Sequence, residues 1–431
     1  MTPLNAEKYM RELPVKNDIG APARLSSLLL TMGTDNTARR IFHVCCAGLY
    51  ASHTAAQFNA ILTEAGITSV RLSFGAPFSG NLKPLWVNGA RPSMNEMATM
   101  VTAMSQAVRR DPEIGEIGRY EALVALGLSF CRAIDASVLI TDVTDLPYLS
   151  QKLLPPAAVV ILGAVSEDPS ILLRNTIQKN TDETVSAAQR PEVQRAIIDR
   201  CAAAGCRLTT AAKLGLLGGP EIHSFSFAGF TFGYRGVEVR LPSVFLSLID
   251  SACAAIDAVR AMRRAGFEIA DEAVAAGIRK TPADSHGRVL SIKPAAVVAS
   301  VPPELADPAW TVAQREVLFD TLVADMKYAE RVFGKRVNIV WLPSDTVPPR
   351  LFAALENGGI ECGDVITAHA GEGAVEAARR IAPELVVRQE EIAAYEEYDR
   401  AGGRTYIIFG TPENIDPALP ALLRGITNTM Q

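Results

Sequence analysis

Residues 43–57 read HVCCAGLYASHTAAQ and decide how the first half of the chain is interpreted. The stretch runs directly into FNAILTEAG, whose apolar spacing is helical. A strand, a tight loop of small residues and a helix is the layout of a phosphate-binding loop. This loop nevertheless holds no lysine and a single glycine, Gly48. It is therefore a nucleotide site, a degenerate nucleotide site or a loop that only looks like one.

Strand-like and helical runs alternate on both sides of this stretch, which predicts an α/β fold. Residues 93–110 are expected to form a helix that Ser93 caps, with Glu96 in the reciprocal capping position. Residues 119–134 are expected to form another helix before two buried strands. Residues 224–241 alternate apolar and polar side chains with glycines between them, a pattern typical of antiparallel strands.

The alternation restarts beyond the polar segment 281–293. Five apolar strands follow, and helices are expected between them at residues 311–332, 346–357, 371–382 and 390–401. This order predicts a small parallel sheet with helices on both faces. The expected domains are therefore residues 1–288 and residues 289–431.

Composition narrows the class of partner. The 431 residues are 48% hydrophobic and 21% charged, and the net charge is −5. A slightly acidic chain argues against nucleic acid or an anionic membrane as the main partner. No apolar run reaches the roughly 18–20 residues of a membrane span, and the first residues do not resemble a signal peptide. We therefore expect a cytoplasmic protein.

The seven cysteines predict free thiols rather than a disulfide framework, because their number is odd and most lie in apolar helical patterns. Cys201 and Cys206 are close in sequence, but no second Cys or His pair lies near them. A zinc site is therefore not expected there.

The order of these landmarks resembles the folylpolyglutamate synthase/dihydrofolate synthase family of the Mur-ligase superfamily. That family reads H-V-A-G-T-N-G-K-G-S-T at the phosphate loop, before a helix that ends in an ILxxAG motif. Here His43, Val44, Ser52 and Thr54 match, but the lysine position falls on Tyr50 or the next residue. The resemblance implies a Mur-ligase-like P-loop α/β domain followed by a smaller Rossmann-like parallel-sheet domain.

The metal positions of the family also differ in this chain. The magnesium-binding glutamate corresponds to Ile140, although Asp142 lies close by and could substitute or lie in a solvated turn. In the segment that resembles ITSIGxDH, Asp168 is kept and the metal histidine is replaced by Pro169. The lysine that the family carbamylates falls near Thr184.

The later motifs are partly kept. The linker motif WPGR resembles SHGR at residues 285–288, so the resemblance implies that Arg288 could reach a phosphate, although a surface arginine at a hinge is an equal alternative. The C-terminal DGAHNP motif is replaced by ASVPPE at residues 299–304.

ATP and magnesium are implied only by the resemblance, through Ser52 and Arg288 for the nucleotide and Ser52 and Asp168 for the metal. Because several charged positions are lost together, we expect a protein without ligase activity that acts as a binding or partner subunit. Its expected partners are a folate-like or other carboxylate ligand and another protein. The alternative is a divergent ligase that joins an amino acid such as glutamate to a folate-like carboxylate and binds the nucleotide through other residues.

Two further chemistries are weaker alternatives. Cys46 could pair with His43 or His53, although residues so close in sequence rarely form a working dyad. The turn within residues 366–378 could hold an anion at a helix N-terminus, but a plain connection is more common.

Overall fold

The computed structural model divides the chain into two compact units. The first comprises Met1–Gly219 and Ser251–Lys280, and the second comprises Pro220–Asp250 and Thr281–Gln431. The described residues are 1–14, 18–74, 84–143, 153–165, 169–212, 214–281, 286–292, 296–300, 319, 321–328, 336–341, 349–367, 387–389, 405–409, 415, 418–420 and 422–423.

The first unit is built on a seven-stranded sheet in the order β3-β2-β4-β1-β5-β6-β7. Every neighbouring pair is parallel except β2 with β3. The central strands β1, β4 and β5 are buried, as a parallel sheet covered by helices requires. The strands are β1 (Phe42–Ala47), β2 (Ser69–Ser73), β3 (Leu85–Val87), β4 (Val138–Val143), β5 (Val159–Leu162), β6 (Glu183–Ser186) and β7 (Arg207–Thr210).

Local sequence signals set the helix ends. The predicted reciprocal cap is confirmed, because the Ser93 side chain accepts from the Glu96 amide while the Glu96 carboxylate accepts from the Ser93 amide. The helices are α1 (Pro3–Glu12), α2 (Ala21–Met32), α3 (Asp35–Arg40), α4 (Ala51–Glu64), α5 (Met94–Arg110), α6 (Arg119–Ala133), α7 (Ser170–Thr176), α8 (Pro191–Ala204), α9 (Ser247–Arg264) and α10 (Asp271–Arg279).

Helix α10 packs closely on α4, which follows the phosphate-loop stretch. A Cβ atom added at Gly277 would lie 2.5 Å from the backbone nitrogen and Cα of Ile61. Only glycine permits this approach, so the two helix backbones hold α4 against the sheet.

The antiparallel strands predicted within 224–241 are confirmed as part of a three-stranded sheet in the second unit. Its order is β10-β9-β8, with β8 (Glu221–Ser226), β9 (Gly229–Tyr234) and β10 (Val237–Leu241). The rings of Phe225 and Phe230 stack at 4.4 Å, and both contact Tyr328 of the helical residues 321–328. The sheet therefore packs within the same unit as the C-terminal residues.

The parallel sheet predicted for the C-terminal part is confirmed, with one addition. The order is β11-β12-β16-β13-β14-β15, and only β11 with β12 is antiparallel. β11 lies inside the stretch 281–293, which the sequence analysis took as a polar segment at the domain boundary. The elements are β11 (Val289–Ser291), β12 (Ala296–Ser300), β13 (Arg336–Trp341), α11 (Pro349–Gly358), β14 (Glu361–Thr367), β15 (Val387–Gln389) and β16 (Thr405–Phe409).

Some predictions stay open. The helices expected at 371–382 and 390–401 lie outside the described residues. The domain boundary between residues 288 and 289 stays a prediction. In the part of the chain that the structure describes, no helix combines the length and apolar character needed to cross a membrane.

Candidate functional site

The connection between β1 and α4 is three residues long. We call it closed because its two large side chains are buried and one of its amides is bonded within the protein. It consists of Gly48, Leu49 and Tyr50, and the side chains of Leu49 and Tyr50 are 5% and 3% exposed. Tyr50 has a φ of 59°, in the left-handed region that bulky residues rarely adopt. The Leu49 amide donates to the carbonyl of Ala164 at 2.8 Å. A phosphate cradle needs such amides to point at the ligand, and this one is occupied by the protein.

The residues that follow β5 are in direct contact with this connection. A Cβ atom at Gly163 would collide with the carbonyl oxygen of Leu49, so the two backbones are in contact. Gln189 fixes the segment from the other side: its Nε2 donates to the Gly163 carbonyl at 2.7 Å, and its Oε1 accepts from the Val165 amide at 3.1 Å. The face of the connection toward β5 is therefore covered by backbone.

A buried ion pair lies at the ends of β2 and β4, beside the first turn of α4. Nε and Nη2 of Arg71 donate to Oδ2 of Asp142 at 3.1 and 3.0 Å. Ser73 Oγ donates to Oδ1 of the same carboxylate at 2.6 Å. Arg71 Nη2 also donates to the carbonyl oxygen of Ser52 at 2.8 Å. The guanidinium thus joins two strands to the helix that follows the loop.

The positive charge of Arg71 and the negative charge of Asp142 balance each other inside the protein. Arg71 and Asp142 are 6% and 1% exposed, and burial raises the pKa of Asp142 while Arg71 and Ser73 oppose that rise. Both carboxylate oxygens already accept hydrogen bonds, so Asp142 is a poor magnesium ligand in this arrangement. The solvated turn considered for Asp142 is wrong, since the residue lies inside a buried strand.

The residues predicted for the site are placed as follows. Ser52 lies in the first turn of α4, and Tyr50 is the residue that precedes the helix. Arg288 is exposed before β11, and its carbonyl oxygen accepts from the Ala299 amide at 2.8 Å. Asp168 lies outside the described residues.

The remaining metal positions hold no free ligand. Ile140 and Thr184 are fully buried in β4 and β6, and Pro169 precedes α7. The sequence analysis missed Arg71, although an arginine in the middle of the strand SVRLS was a usable signal. A buried guanidinium needs an anionic partner, and Asp142 is that partner.

The thiol–imidazole alternative is not supported at His43. Its Nδ1 lies 2.8 Å from the Pro155 carbonyl oxygen and its Nε2 lies 2.9 Å from Thr141 Oγ1. Burial lowers the pKa of His43 to about 4 and raises the pKa of the fully buried Cys46 thiol. A neutral imidazole with both nitrogens engaged does not activate that thiol.

The second unit holds a buried polar cluster at the SHGR motif. The Ser247 amide and hydroxyl donate to Asp325 at 2.8 and 2.6 Å, and Nε2 of His286 lies 3.7 Å from Asp325 Oδ2. Burial raises the pKa of Asp325 to about 7 and lowers the pKa of His286 to about 3. The hydroxyl donates to the carboxylate rather than to the imidazole, so this is not the arrangement of a catalytic triad.

The raised pKa of Asp325 predicts a loss of stability as the pH rises. The folded state holds the Asp325 proton more tightly than the unfolded state, whose carboxyl titrates near 3.8. Relative to Asp325→Asn, the wild type should therefore lose about 1.4 kcal/mol of unfolding free energy per pH unit until about pH 7, and then level off. His286 is present in both proteins, 3.7 Å from Asp325 Oδ2 in the wild type, and adds its own pH dependence to each of them. Urea unfolding of both proteins from about pH 5 to about pH 8 measures the difference in unfolding free energy, and a constant difference would contradict the raised pKa.

Two open cavities lie among the helices of the first unit. One, of about 390 Å³, is lined by Arg110, Arg132 and the hydroxyl-bearing Thr31 and Ser129. The other, of about 460 Å³, is lined by Arg91, Glu96, Thr99 and apolar residues. Met100 and Ala133 line both cavities.

No family model and no curated protein matches the chain. Solved structures match it over its whole length. A Mycobacterium tuberculosis folylpolyglutamate synthase complexed with ADP is 15% identical, with 98% of that chain covered and a TM-score of 0.73. A Thermotoga maritima folylpolyglutamate synthase is 14% identical, with 97% covered and a TM-score of 0.68. A folylpolyglutamate synthase complexed with AMPPCP and folate is 13% identical, with 99% covered and a TM-score of 0.68.

At this level of identity the likeness concerns the fold. The chain has the two-domain α/β fold of the folylpolyglutamate synthases, with a parallel sheet in each part. The fold predicted from the sequence is therefore confirmed.

Proposed function

We propose that the chain is a folylpolyglutamate synthase-like protein that no longer makes an amide bond and serves as a binding or partner subunit. The observation that carries this proposal is the closed connection between β1 and α4. Leu49 and Tyr50 are buried there, and the Leu49 amide is bonded to Ala164. ATP-dependent ligation must cradle a phosphate chain of several negative charges with free amides and cations. This connection carries no cation, and its Leu49 amide is already bonded.

The ion pair beside the connection supports the same proposal. To act on a phosphate, Arg71 would have to leave Asp142, which would stay buried with only Ser73 as a donor. Breaking a buried pair in this way costs about 3–5 kcal/mol. To bind magnesium, Asp142 would have to give up the same contacts. Arg71 and Asp142 are therefore poorly placed to replace the lysine and the magnesium ligand that the resemblance finds missing.

The alternative is a ligase that binds its nucleotide through Ser52, Asp168 and Arg288. The two proposals differ in one measurable property, the affinity for ATP and magnesium. The ligase needs a bound nucleotide for every turnover, whereas the partner subunit needs none.

ATP with magnesium should raise the melting temperature of this protein by less than about one degree. A ligand at 100 times its dissociation constant stabilises a fold by about 2.7 kcal/mol, which is a shift of several degrees. Thermal unfolding in millimolar ATP and magnesium measures this, with the Mycobacterium tuberculosis synthase as the control of the same fold. A shift of several degrees in this chain would favour the ligase.

The small ligand that we propose for such a subunit is a folate-like carboxylate, since one structure of this fold was solved with folate. In the described part of the first unit, the cavity lined by Arg110 and Arg132 offers guanidinium donors for a carboxylate. Arg132 already donates to the carbonyls of Met32 and Gly33, which fixes its position at the cavity wall.

A further inference from the structure

Cys201 and Cys206 are brought together by the way α8 ends. The sequence CAAAGC places Gly205 just after the helix with a φ of 75°. The Cys206 amide donates to the Cys201 carbonyl at 3.1 Å, and the Gly205 amide donates to the Ala202 carbonyl at 3.2 Å. These two bonds define a Schellman motif, in which the side chains at the positions of Cys201 and Cys206 normally touch.

The two thiols occupy the paired positions of this turn and differ in exposure. Oγ1 of Thr184 lies 3.5 Å from Cys206 Sγ, and the side chains of Thr184 and Cys206 both influence the pKa of the Cys201 thiol. Cys201 is 2% exposed, whereas Cys206 is half-buried. Among the other cysteines whose side chains the structure describes, Cys45, Cys46, Cys131 and Cys253 are buried. Cys206 is therefore the most exposed cysteine of this set.

A metal does not explain the pair. Across the described residues, no group of three or more His, Cys, Asp or Glu side chains is placed to hold an ion. The Schellman turn instead places the two cysteines at positions whose side chains normally touch, as a disulfide requires.

We propose that Cys201 and Cys206 are a site of reversible oxidation, where hydrogen peroxide converts the two thiols into a disulfide at the junction of α8 and β7. The Cys206 sulfur attacks one oxygen of the peroxide, the O–O bond breaks, and the leaving hydroxide takes up the thiol proton as water. The Cys201 sulfur then attacks the resulting sulfenic acid, the S–O bond breaks, and the hydroxyl leaves with the Cys201 proton as a second water. Two thiols are oxidised and one peroxide is reduced.

The surroundings of the two thiols indicate which of them reacts first with the peroxide. Burial raises the pKa of Cys201 to about 12, and Cys206 adds to that rise, so Cys201 is the slower nucleophile. Arg200 favours the Cys201 thiolate and is fixed by its Nε, which donates to the Ile177 carbonyl at 2.8 Å. Burial of Cys201 outweighs this effect of Arg200, and Cys206 is the more exposed of the two, so Cys206 reacts first and Cys201 resolves the sulfenic acid.

The test uses the reduced full-length protein, treated with hydrogen peroxide in its folded state. After denaturation and alkylation, trypsin releases residues 201–207 as one peptide, CAAAGCR, because Arg200 and Arg207 flank both cysteines. We expect most of this peptide to lack alkyl groups and to be lighter by two hydrogen atoms than the dithiol. Dithiothreitol should restore alkylation at both positions. Cys45, Cys46, Cys131 and Cys253 should stay alkylated throughout.

Two variants separate the steps. Cys201→Ser should stop the reaction at a sulfenic acid on Cys206 that dimedone traps, whereas Cys206→Ser should leave Cys201 in the thiol form. Full alkylation of the peptide after peroxide, or a disulfide from either residue to another cysteine, would overturn the proposal. A Cys206→Ser protein whose Cys201 is oxidised as fast as in the wild type would overturn the assigned order.

Discussion

Replacing Arg71 by methionine is expected to lower the free energy of unfolding by about 3–5 kcal/mol. The substitution leaves the carboxylate of Asp142, 1% exposed, with only the Ser73 hydroxyl as a donor. It also removes the bond to the Ser52 carbonyl that ties α4 to the sheet. Urea unfolding at neutral pH, compared with the wild type, measures the loss.

Two comparison variants test whether the loss of stability comes from breaking the buried ion pair. Arg195→Met changes an exposed arginine on α8 and should alter stability by less than about 0.5 kcal/mol. The double variant Arg71→Met, Asp142→Leu should recover most of the loss, because a buried ion pair is often replaced by apolar side chains without penalty. A single Arg71→Met protein within about 1 kcal/mol of the wild type would show that the carboxylate is not buried as an ion.

Tyr50→Lys is expected to destabilise the fold by about 3 kcal/mol or more without creating a nucleotide site. The ring of Tyr50 is 3% exposed and meets the ring of His53 edge-on at 5.6 Å. Removing a buried aromatic ring costs about 3–5 kcal/mol, and the lysine also brings a charge to a desolvated position. Urea unfolding gives the stability, and a glutamate-dependent assay of ADP release gives the activity.

Tyr50→Phe keeps the ring and is the matched control, which should lose much less unfolding free energy than Tyr50→Lys. The position matches the lysine of the phosphate loop only by resemblance, and the metal positions would still hold Ile140, Pro169 and Thr184. A Tyr50→Lys protein with wild-type stability and ATP-dependent ligation would refute both the burial argument and the placement of the metal ligands.

Features that depend on nearby residues could be read from the sequence. The strand–helix alternation, the Ser93–Glu96 cap and the antiparallel strands within 224–241 all follow from short-range patterns, and the structure contains each of them. The absence of a lysine from residues 45–52 is likewise a fact of the sequence alone. Such features are set by backbone propensity, capping and the period of apolar residues, which act within a few residues of chain.

The arrangement of the candidate site was decided only by tertiary structure. Arg71 and Asp142 belong to strands far apart in the chain, and they meet because β2 pairs with β4, with Ser73 level with Asp142. The contact of Gly163 with Leu49 likewise depends on β5 lying next to β1. Strand order is fixed by which apolar faces bury one another across the whole sheet, and no local pattern encodes it. The sequence by itself therefore shows that the loop lacks a lysine. Only the folded chain shows that the Leu49 amide and the Asp142 carboxylate are already hydrogen-bonded within the protein.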